Sequence, residues 1–531
     1  MRTYNVILHK GVDYQSFWDD MERDDDGGKL YIPNRRVDSP NLRPNSPRQT
    51  WYTLSDEEAE IVRQDERVMA VEIPPEFRTD IFIEPRLTQT GDFTKTTSDS
   101  GAYINWGLIR HKSKTNNYGS GTTTSEDYTY TLDGTGVDII IQDSGIEVGH
   151  PEFKGSDGVE RTQQINWYSL SGVSGTQSGN HYRDYDGHGT HVAGITAGLN
   201  HGVAKGATIY SVKVTGLEGA GDSGTGISTT DCFDVIKGWH NNKAIDSKTG
   251  LKRPTVVNMS WGYGTFFDTV TSLTYRGVSY TDGSTTGNAS YRETNYGLVN
   301  NSGSPSATYI CNTRIPSVDT DVEEMIDAGI VVTIAAGNRG TKIDVFGGDD
   351  YNNFVVTNTG TKYYHRGSSP YSDRAIMVGN MDSTTADVTN DQKSTSSECG
   401  PGVDIYAAGT NIMSCTSQTN RFTDAAYYFD GSYRQCNIGG TSMAAPQVAG
   451  IAALLLQQNP GAKPESIKAS LEGLAGETIY TSSNADDWTD RRSLLGGTPR
   501  VLFNKNTDDR PTVIQNVPSG FFQNGVKVTT K

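Results

Sequence analysis

The sequence predicts an α/β fold: a mostly parallel sheet with helices on both faces, preceded by a small α+β domain. Two observations predict it. Near-continuous apolar segments at 137–141, 207–214, 255–260 and 330–335 have the composition of strands that are buried on both faces. Segments with helical spacing of apolar residues lie between them, and this alternation is typical of a parallel sheet.

The length, net charge and cysteine count of the chain exclude several classes of protein. The 531-residue chain has a formal net charge of −17 and a sequence pI of about 5.0, which argues against nucleic acid and anionic membranes as partners. No apolar run is long enough to span a bilayer. The cysteine count is odd, so at least one thiol stays free in the monomer that we expect, and one or two bridges remain open. The five cysteines are Cys232, Cys311, Cys399, Cys415 and Cys436.

The chain order predicts four parts. Residues 1–84 form a small unit with strands at 3–8 and 67–72 and a helix opened by a capping box of Ser55 and Glu58. Residues 85–102 form a Thr/Ser-rich, exposed linker, a preferred place for cleavage. Residues 103–505 form the large domain, and residues 506–531 form a C-terminal tail.

Two polar excursions interrupt the large domain. They cover about 263–316 and 339–372, and loops of this length are usually functional or disordered. The second contains the acidic cluster Gly347-Gly348-Asp349-Asp350. Because no full set of calcium-ligand spacings is visible, we interpret this cluster as a solvated loop rather than a metal site.

The most informative stretch, at 439–446, reads GGTSMAAP and leads into an apolar segment. Pro446 fits a helix in its first turn, where its missing N–H costs nothing, so we expect Ser442 at the helix N-terminus. There the unpaired amides and the dipole favour an anion, such as an oxyanion that forms beside the hydroxyl. The competing interpretation is an ordinary serine cap.

Three further residues bear on that choice. Asp143 ends an apolar strand, where a carboxylate needs a partner. His188 precedes a helix between two glycines, whereas His191 fits a structural role better. Asn338 lies in a turn after an apolar strand, and its amide could donate to an oxyanion. A serine nucleophile needs such a base, a carboxylate to orient the base, and oxyanion donors.

Together these stretches resemble the subtilisin-like serine protease (subtilase) family, which has the same Asp–His–Ser order. The matching blocks are DSG at 143–145, HGTH at 188–191, AGN at 336–338 and GTSMAAP at 440–446. The chain is most similar to the proteinase K-like branch, through WGL at 106–108, HPEF at 150–153 and GVAK at 202–205. Residues 1–84 resemble the family's inhibitor-like propeptide, through LSDEE at 54–58 and RVMAVE at 67–72.

The resemblance implies roles for individual residues. Ser442 is the nucleophile, His188 the general base and then acid, Asp143 its orienter, and Asn338 an oxyanion donor. The substrate-binding residues are implied to be Ser260, Trp261 and Gly262 on one side and Ala335, Ala336 and Gly337 on the other. The implied activity is hydrolysis of peptide bonds in protein or peptide substrates, with no cofactor for the chemistry and structural calcium as an option.

The resemblance also implies a self-processed zymogen whose propeptide acts as an intramolecular inhibitor and is cut off within the linker. One alternative stays open: a non-catalytic structural or particle component that retains the protease fold.

The N-terminus, MRTYN, lacks a secretory apolar region. This favours an intracellular or virion-borne enzyme over classical secretion, with an unrecognised export route as the third alternative.

Overall fold

The computed structural model describes residues 1–22, 37–40, 48–74, 87–224, 226–247, 249–281, 287–301, 308–484 and 486–507, and the backbone of two short strands at 522–523 and 526–527. The chain divides into two compact units. The first contains Met1–Pro85 and Arg510–Lys531, and the second contains Arg86–Asp509.

The first unit has a three-stranded antiparallel sheet in the order β2-β1-β3. Its elements are β1 (Arg2–Leu8), α1 (Tyr14–Glu22), β2 (Gln49–Leu54), α2 (Asp56–Arg63) and β3 (Val68–Glu72). Buried Tyr4, Val6, Phe17 and Val62 bring the sheet and both helices into one core. The Ser55 side chain accepts from the Glu58 amide, and Glu58 accepts from the Ser55 amide. The predicted strands, helix and capping box of this unit are confirmed.

The predicted exposed linker is wrong for residues 87–95. Residues Leu87–Asp92 form β4, which pairs antiparallel with β5 (Ser125–Tyr130). Phe93 is fully buried in the core of the second unit. One aromatic side chain and a strand partner outweigh the polar composition that suggested a linker. Pro85 and Arg86 lie outside the described residues.

The second unit continues through the rest of the described chain. Its helices are α3 (Gly107–Arg110), α4 (Trp167–Ser171), α5 (His188–Ala197), α6 (Thr229–Asn242), α7 (Ala289–Tyr296), α8 (Pro316–Asp327), α9 (Thr441–Gln458) and α10 (Pro464–Leu474). Its further strands are β6 (Asp138–Asp143), β7 (Thr162–Gln163), β8 (Thr208–Lys213), β9 (Thr255–Met259), β10 (Gly264–Phe267), β11 (Ser272–Tyr275), β12 (Val278–Tyr280), β13 (Tyr309–Asn312), β14 (Val331–Ala335), β15 (Phe354–Thr357), β16 (Gly360–Tyr363), β17 (Ile376–Thr385), β18 (Asp391–Lys393), β19 (Ile405–Ala408), β20 (Ile412–Thr416), β21 (Ala425–Ala426), β22 (Arg434–Ile438), β23 (Gly476–Glu477) and β24 (Arg500–Val501).

The central sheet confirms the predicted fold class. Its strand order is β23-β24-β19-β17-β14-β9-β6-β8-β7, and only β23 and the side strand β18 pair antiparallel. Successive residues of β6 face opposite sides: Ile139 and Ile141 join one apolar cluster and Ile140 joins the other. Helices α5 and α9 cover the first face, and α6 and α8 cover the second.

The two excursions fold together instead of forming long loops. Strands β11 and β12 of the first and β15 and β16 of the second form a four-stranded sheet in the order β12-β11-β15-β16. Its own apolar cluster includes Phe267, Leu273, Tyr296, Tyr309 and Val355. The expectation of loops was wrong because the Phe and Tyr residues of these polar segments supply enough apolar surface for a small core.

The tail predicted at 506–531 lies mostly outside the described residues. Its first two residues belong to the second unit, since Asn506 and Thr507 are buried and the Asn506 carbonyl accepts from the Thr131 amide. None of the helices in the described part of the chain has the length and apolar character needed to cross a membrane.

Candidate active site

Three of the predicted site residues lie at one edge of the central sheet. Asp143 is the last residue of β6, Ser260 directly follows β9, and Asn338 lies just after β14. These strands are neighbours in the order β14-β9-β6 and run parallel. Because the carboxyl ends of parallel strands meet at one edge, the fold brings the three side chains to the same side of the molecule.

Asp143 and His188 form a direct pair. His188 is the first residue of α5, and its Nδ1 lies 2.8 Å from Asp143 Oδ1. The side chain of Asp143 is 2% exposed, and that of His188 is 16% exposed. Burial lowers the pKa of His188, but attraction to the Asp143 carboxylate and their hydrogen bond outweigh it, so the pKa is raised. Donation from Nδ1 leaves Nε2 as the acceptor of the ring.

A second buried carboxylate, which the sequence reasoning missed, holds this pair in place. Asp184 accepts from the amide of Gly187, the amide and hydroxyl of Thr190, and the hydroxyl of Ser144. Ser144 in turn accepts from the Gly189 amide at 2.9 Å. The residue beside Asp143 is thereby joined to the backbone on both sides of His188.

Ser442 is the second residue of α9, as the sequence predicts, but Pro446 lies in the second turn, not in the first. A proline there cannot donate to the carbonyl four residues earlier, which is that of Ser442. The hydroxyl of Ser260 donates to this carbonyl instead, at 3.1 Å. The Ser442 hydroxyl donates to the Ser260 carbonyl, also at 3.1 Å. This exchange explains why the helix tolerates an internal proline.

Asn338 is fixed by its carbonyl oxygen. Oδ1 accepts from the amide of Thr441 at 2.8 Å and from its hydroxyl at 3.0 Å. Since a backbone amide can only donate, these bonds define which end of the side chain is oxygen, and Nδ2 is the end left free to donate. Gly440 has a φ of +148°, and a hypothetical Cβ atom on it would lie 3.3 Å from Asn338 Nδ2. The free amide of Asn338 therefore lies beside the residues that precede Ser442.

A cavity of about 540 Å³ opens beside Ser442. Five of the six predicted substrate-binding residues line it: Ser260, Trp261, Gly262, Ala335 and Gly337. Ala336 does not line the cavity; it is 1% exposed and packs in the main core, because successive residues of an extended segment face opposite sides.

The cavity has further walls that sequence reasoning did not find. Val299, Asn301 and Ile310 come from the first excursion, and Ser368 comes from the second. Arg339 and Thr441 complete the lining, together with Asn338 and Ser442. Arg339 could have been suspected, because it directly follows Asn338; the others depend on how the excursions fold.

The remaining candidate residues have structural surroundings. His191 is fully buried, its Nε2 lies 3.1 Å from the Cys436 carbonyl, and burial lowers its pKa to about 3. All five cysteines are buried and free. Asp349 is exposed, but Asp350 is completely buried and paired with Arg276 and Lys342, so the solvated-loop interpretation is wrong for Asp350.

Within the described ranges, no group of three or more His, Cys, Asp or Glu side chains is arranged to hold a metal ion.

The family match follows from the sequence of the second unit: residues 134–496, about two thirds of the chain, match Peptidase S8, the subtilase family. The chain belongs to the subtilase family. It is therefore a serine endopeptidase by class, and the predicted family is confirmed.

Relatives that are named as proteases are similar in sequence to this chain. The chain is 27% identical over 418 residues to the extracellular serine proteinase of Thermus sp. (strain Rt41A), an alignment that covers 79% of this chain and 68% of that protein. It is 24% identical over 445 residues to alkaline serine exoprotease A of Vibrio alginolyticus, covering 82% of this chain and 58% of the relative. It is 28% identical over 389 residues to the cuticle-degrading protease of Metarhizium anisopliae, covering 72% and 68%.

One solved structure, of a cold adapted subtilisin-like serine proteinase, is similar with a TM-score of 0.44 and 23% sequence identity. The match covers 76% of this chain and 98% of that one.

Proposed function

We propose that this subtilase hydrolyses peptide bonds through Ser442, His188 and Asp143, with Asn338 and the Ser442 amide as oxyanion donors. The observation that carries the proposal is the 2.8 Å pair between His188 and Asp143 at the sheet edge where Ser442 lies in the first turn of α9. In the neutral ring, this pair places the proton on Nδ1 and leaves Nε2 as the acceptor that a general base requires.

The reaction follows from this arrangement. The Ser442 hydroxyl, which donates to the Ser260 carbonyl in the free enzyme, turns to His188 Nε2 when a substrate enters. Its oxygen attacks the peptide carbonyl while the proton passes to His188, and Asn338 Nδ2 stabilises the oxyanion. His188 then protonates the leaving amine, which yields an acyl-enzyme. Water, deprotonated by the same histidine, hydrolyses the acyl-enzyme.

Substrate binding uses the strand end at 260–262. We infer that an extended peptide pairs with this backbone by strand addition, and that the side chain before the cleaved bond enters the cavity beside Ser442. Protein or peptide chains are therefore the substrates, and the proposed chemistry needs no cofactor.

A fluorophosphonate probe tests the catalytic proposal against the alternative of a non-catalytic component. The purified protein should be labelled at Ser442, and Ser442→Ala should take up no label while it unfolds at the same temperature as wild type. A folded wild-type protein that takes up no label would contradict the proposal.

Maturation by self-cleavage is the second part of the proposal. Residues 1–84 resemble a propeptide, and β4 begins the packed part of the second unit at Leu87. Because residues 87–95 are paired or buried, we place the cut at the start of the predicted window, before Leu87. N-terminal sequencing of wild type and Ser442→Ala tests this. The mutant should remain whole from Met1, and an active wild type that also remains whole would contradict it.

A further inference from the structure

We propose that this enzyme prefers an acidic side chain, Glu above all, immediately before the cleaved bond, and that Arg339 determines this preference. The inference rests on the proposed catalytic function, because it concerns the cavity beside Ser442. That cavity is lined by one charged residue among those that the structure describes, and this residue is Arg339.

Arg339 is held in the cavity wall by a buried polar scaffold. Its Nη1 donates to Asn312 Oδ1 at 2.7 Å, and its backbone amide donates to Glu398 Oε1 at 3.2 Å. Asn312 is 2% exposed and ends β13. A Cβ built on Gly264 would lie 2.4 Å from Nη2, so the guanidinium lies close over this backbone. These contacts fix the guanidinium more tightly than a surface arginine.

The guanidinium forms no ion pair with a described residue, although its charge acts on the carboxylate of Glu398. Glu398 is fully buried, and its oxygens are already used. They accept from the amide and hydroxyl of Thr341, from Asn312 Nδ2 and from the Arg339 amide. Burial raises the pKa of Glu398, although these hydrogen bonds and the charge of Arg339 oppose the rise.

The hydrogen-bond capacity of the guanidinium is also incomplete. Nη1 is engaged with Asn312, Nε is buried without an acceptor, and Nη2 makes no hydrogen bond to a described residue, so Nη2 is the donor that a ligand in the cavity could use. The other cavity walls are apolar or neutral, including Val299, Ile310 and Ala335. A carboxylate that enters this cavity therefore meets a guanidinium without an ion-pair partner among the described residues and no competing anion on the lining, which permits the charge-assisted pairing that arginine favours.

The size of the cavity favours a long acidic side chain. Its volume of about 540 Å³ exceeds what any single side chain fills, so a short chain would leave its carboxylate away from the wall. Glutamate and glutamine have nearly the same shape and differ in charge. The ratio of kcat/KM for a Glu substrate to that for a Gln substrate therefore separates the effect of the Arg339 charge from the effect of cavity size.

The test uses four peptide p-nitroanilides, Ala-Ala-Pro-Xaa, in which Xaa is Glu, Gln, Leu or Lys. We expect kcat/KM for Glu to exceed that for Gln by about tenfold, the difference between a charge-assisted and a neutral hydrogen bond. In Arg339→Gln the ratio should fall to about one and the Lys substrate should improve, while Arg339→Lys should keep part of the preference.

The matched control is Arg366→Gln. Arg366 also makes no ion pair among the described residues and lies in the second excursion, but it does not line the cavity. It should leave the Glu/Gln ratio unchanged. Hydrolysis of Leu or Gln substrates without a preference for Glu, or a ratio that Arg339→Gln leaves intact, overturns the inference alone. Inactivity on all four peptides together with no fluorophosphonate labelling overturns the proposed function as well.

Discussion

Replacing Asn338 by Ala tests its proposed role as an oxyanion donor separately from the other residues of the site. The side chain is anchored through Oδ1 by two bonds from Thr441, at 2.8 and 3.0 Å, so its Nδ2 is held in a fixed position before substrate arrives. A donor fixed in advance costs no reorganisation when the oxyanion forms. Its loss should therefore raise the barrier to the chemical step and leave ground-state binding unchanged.

The expected magnitude is a hundred- to a thousandfold fall in kcat, about 2.7–4 kcal/mol, with KM little changed. This range is that of a single oxyanion donor in subtilisin, a member of the same family, and is borrowed from it. The Thr441 amide and hydroxyl lose an acceptor in Asn338→Ala, but Asn338 is exposed, so water can replace it and the fold should be retained.

Asn338→Asp provides the sharper comparison. The carboxylate still accepts from Thr441, and Asp suits a turn as well as Asn does. Its second oxygen, however, places negative charge where the oxyanion forms, so kcat should fall below that of Asn338→Ala. Steady-state kinetics, with active sites counted by fluorophosphonate labelling, measures both variants. An Asn338→Asp enzyme that keeps more than about a tenth of wild-type kcat would refute the oxyanion role and favour a turn residue.

Two further predictions concern pH dependence and stability. Arg421 pairs with Asp186 beside His188; Asp186 raises the pKa of His188 and Arg421 lowers it. Because the proposed mechanism needs unprotonated His188, Arg421→Gln should move the acidic limb of the kcat/KM profile to higher pH and Asp186→Asn should move it to lower pH. Shifts of both variants in the same direction would contradict this. Arg110 and Asp391 form a buried ion pair with exposed fractions of 0% and 4%. Asp391→Ala leaves the arginine uncompensated and should lower the free energy of unfolding by about 3–5 kcal/mol, measured by denaturant in the Ser442→Ala background, with partial recovery on adding Arg110→Met.

The positions of three candidate site residues could be predicted from the sequence because the fold class fixes where strand ends meet. Asp143 ends an apolar strand and Ser260 and Asn338 follow such strands, and parallel pairing brings these positions together whatever the loops do. Local pattern also located the start of α9. It failed at Pro446, because the hydroxyl that substitutes for the missing N–H belongs to Ser260, which precedes Ser442 by 182 residues in the chain.

The cavity walls could not be predicted in the same way. Val299, Ile310 and Ser368 belong to segments whose polar composition suggested loops. Their positions depend on pairing between β11 and β15, which lie about eighty residues apart in the chain. No helical or strand periodicity reports such a long-range pairing. The linker prediction failed for the same reason, since β5, the partner of β4, lies outside residues 85–102.

The residues around the site therefore come from two parts of the fold. The central sheet and α9 carry the residues proposed for the chemistry, and the paired excursions add walls to the cavity beside Ser442. Arg276 in the first excursion and Lys342 in the second both bind the buried carboxylate of Asp350, at 2.8 Å each. Burial alone would raise the pKa of Asp350, but these two cations hold it well below its usual value, so the link stays charged at any pH at which His188 can act as a base. Because that link joins both excursions, the cavity walls that they supply should keep their relative positions. Substitutions in the link should therefore alter which peptides are cleaved and leave the rate of the chemical step unchanged.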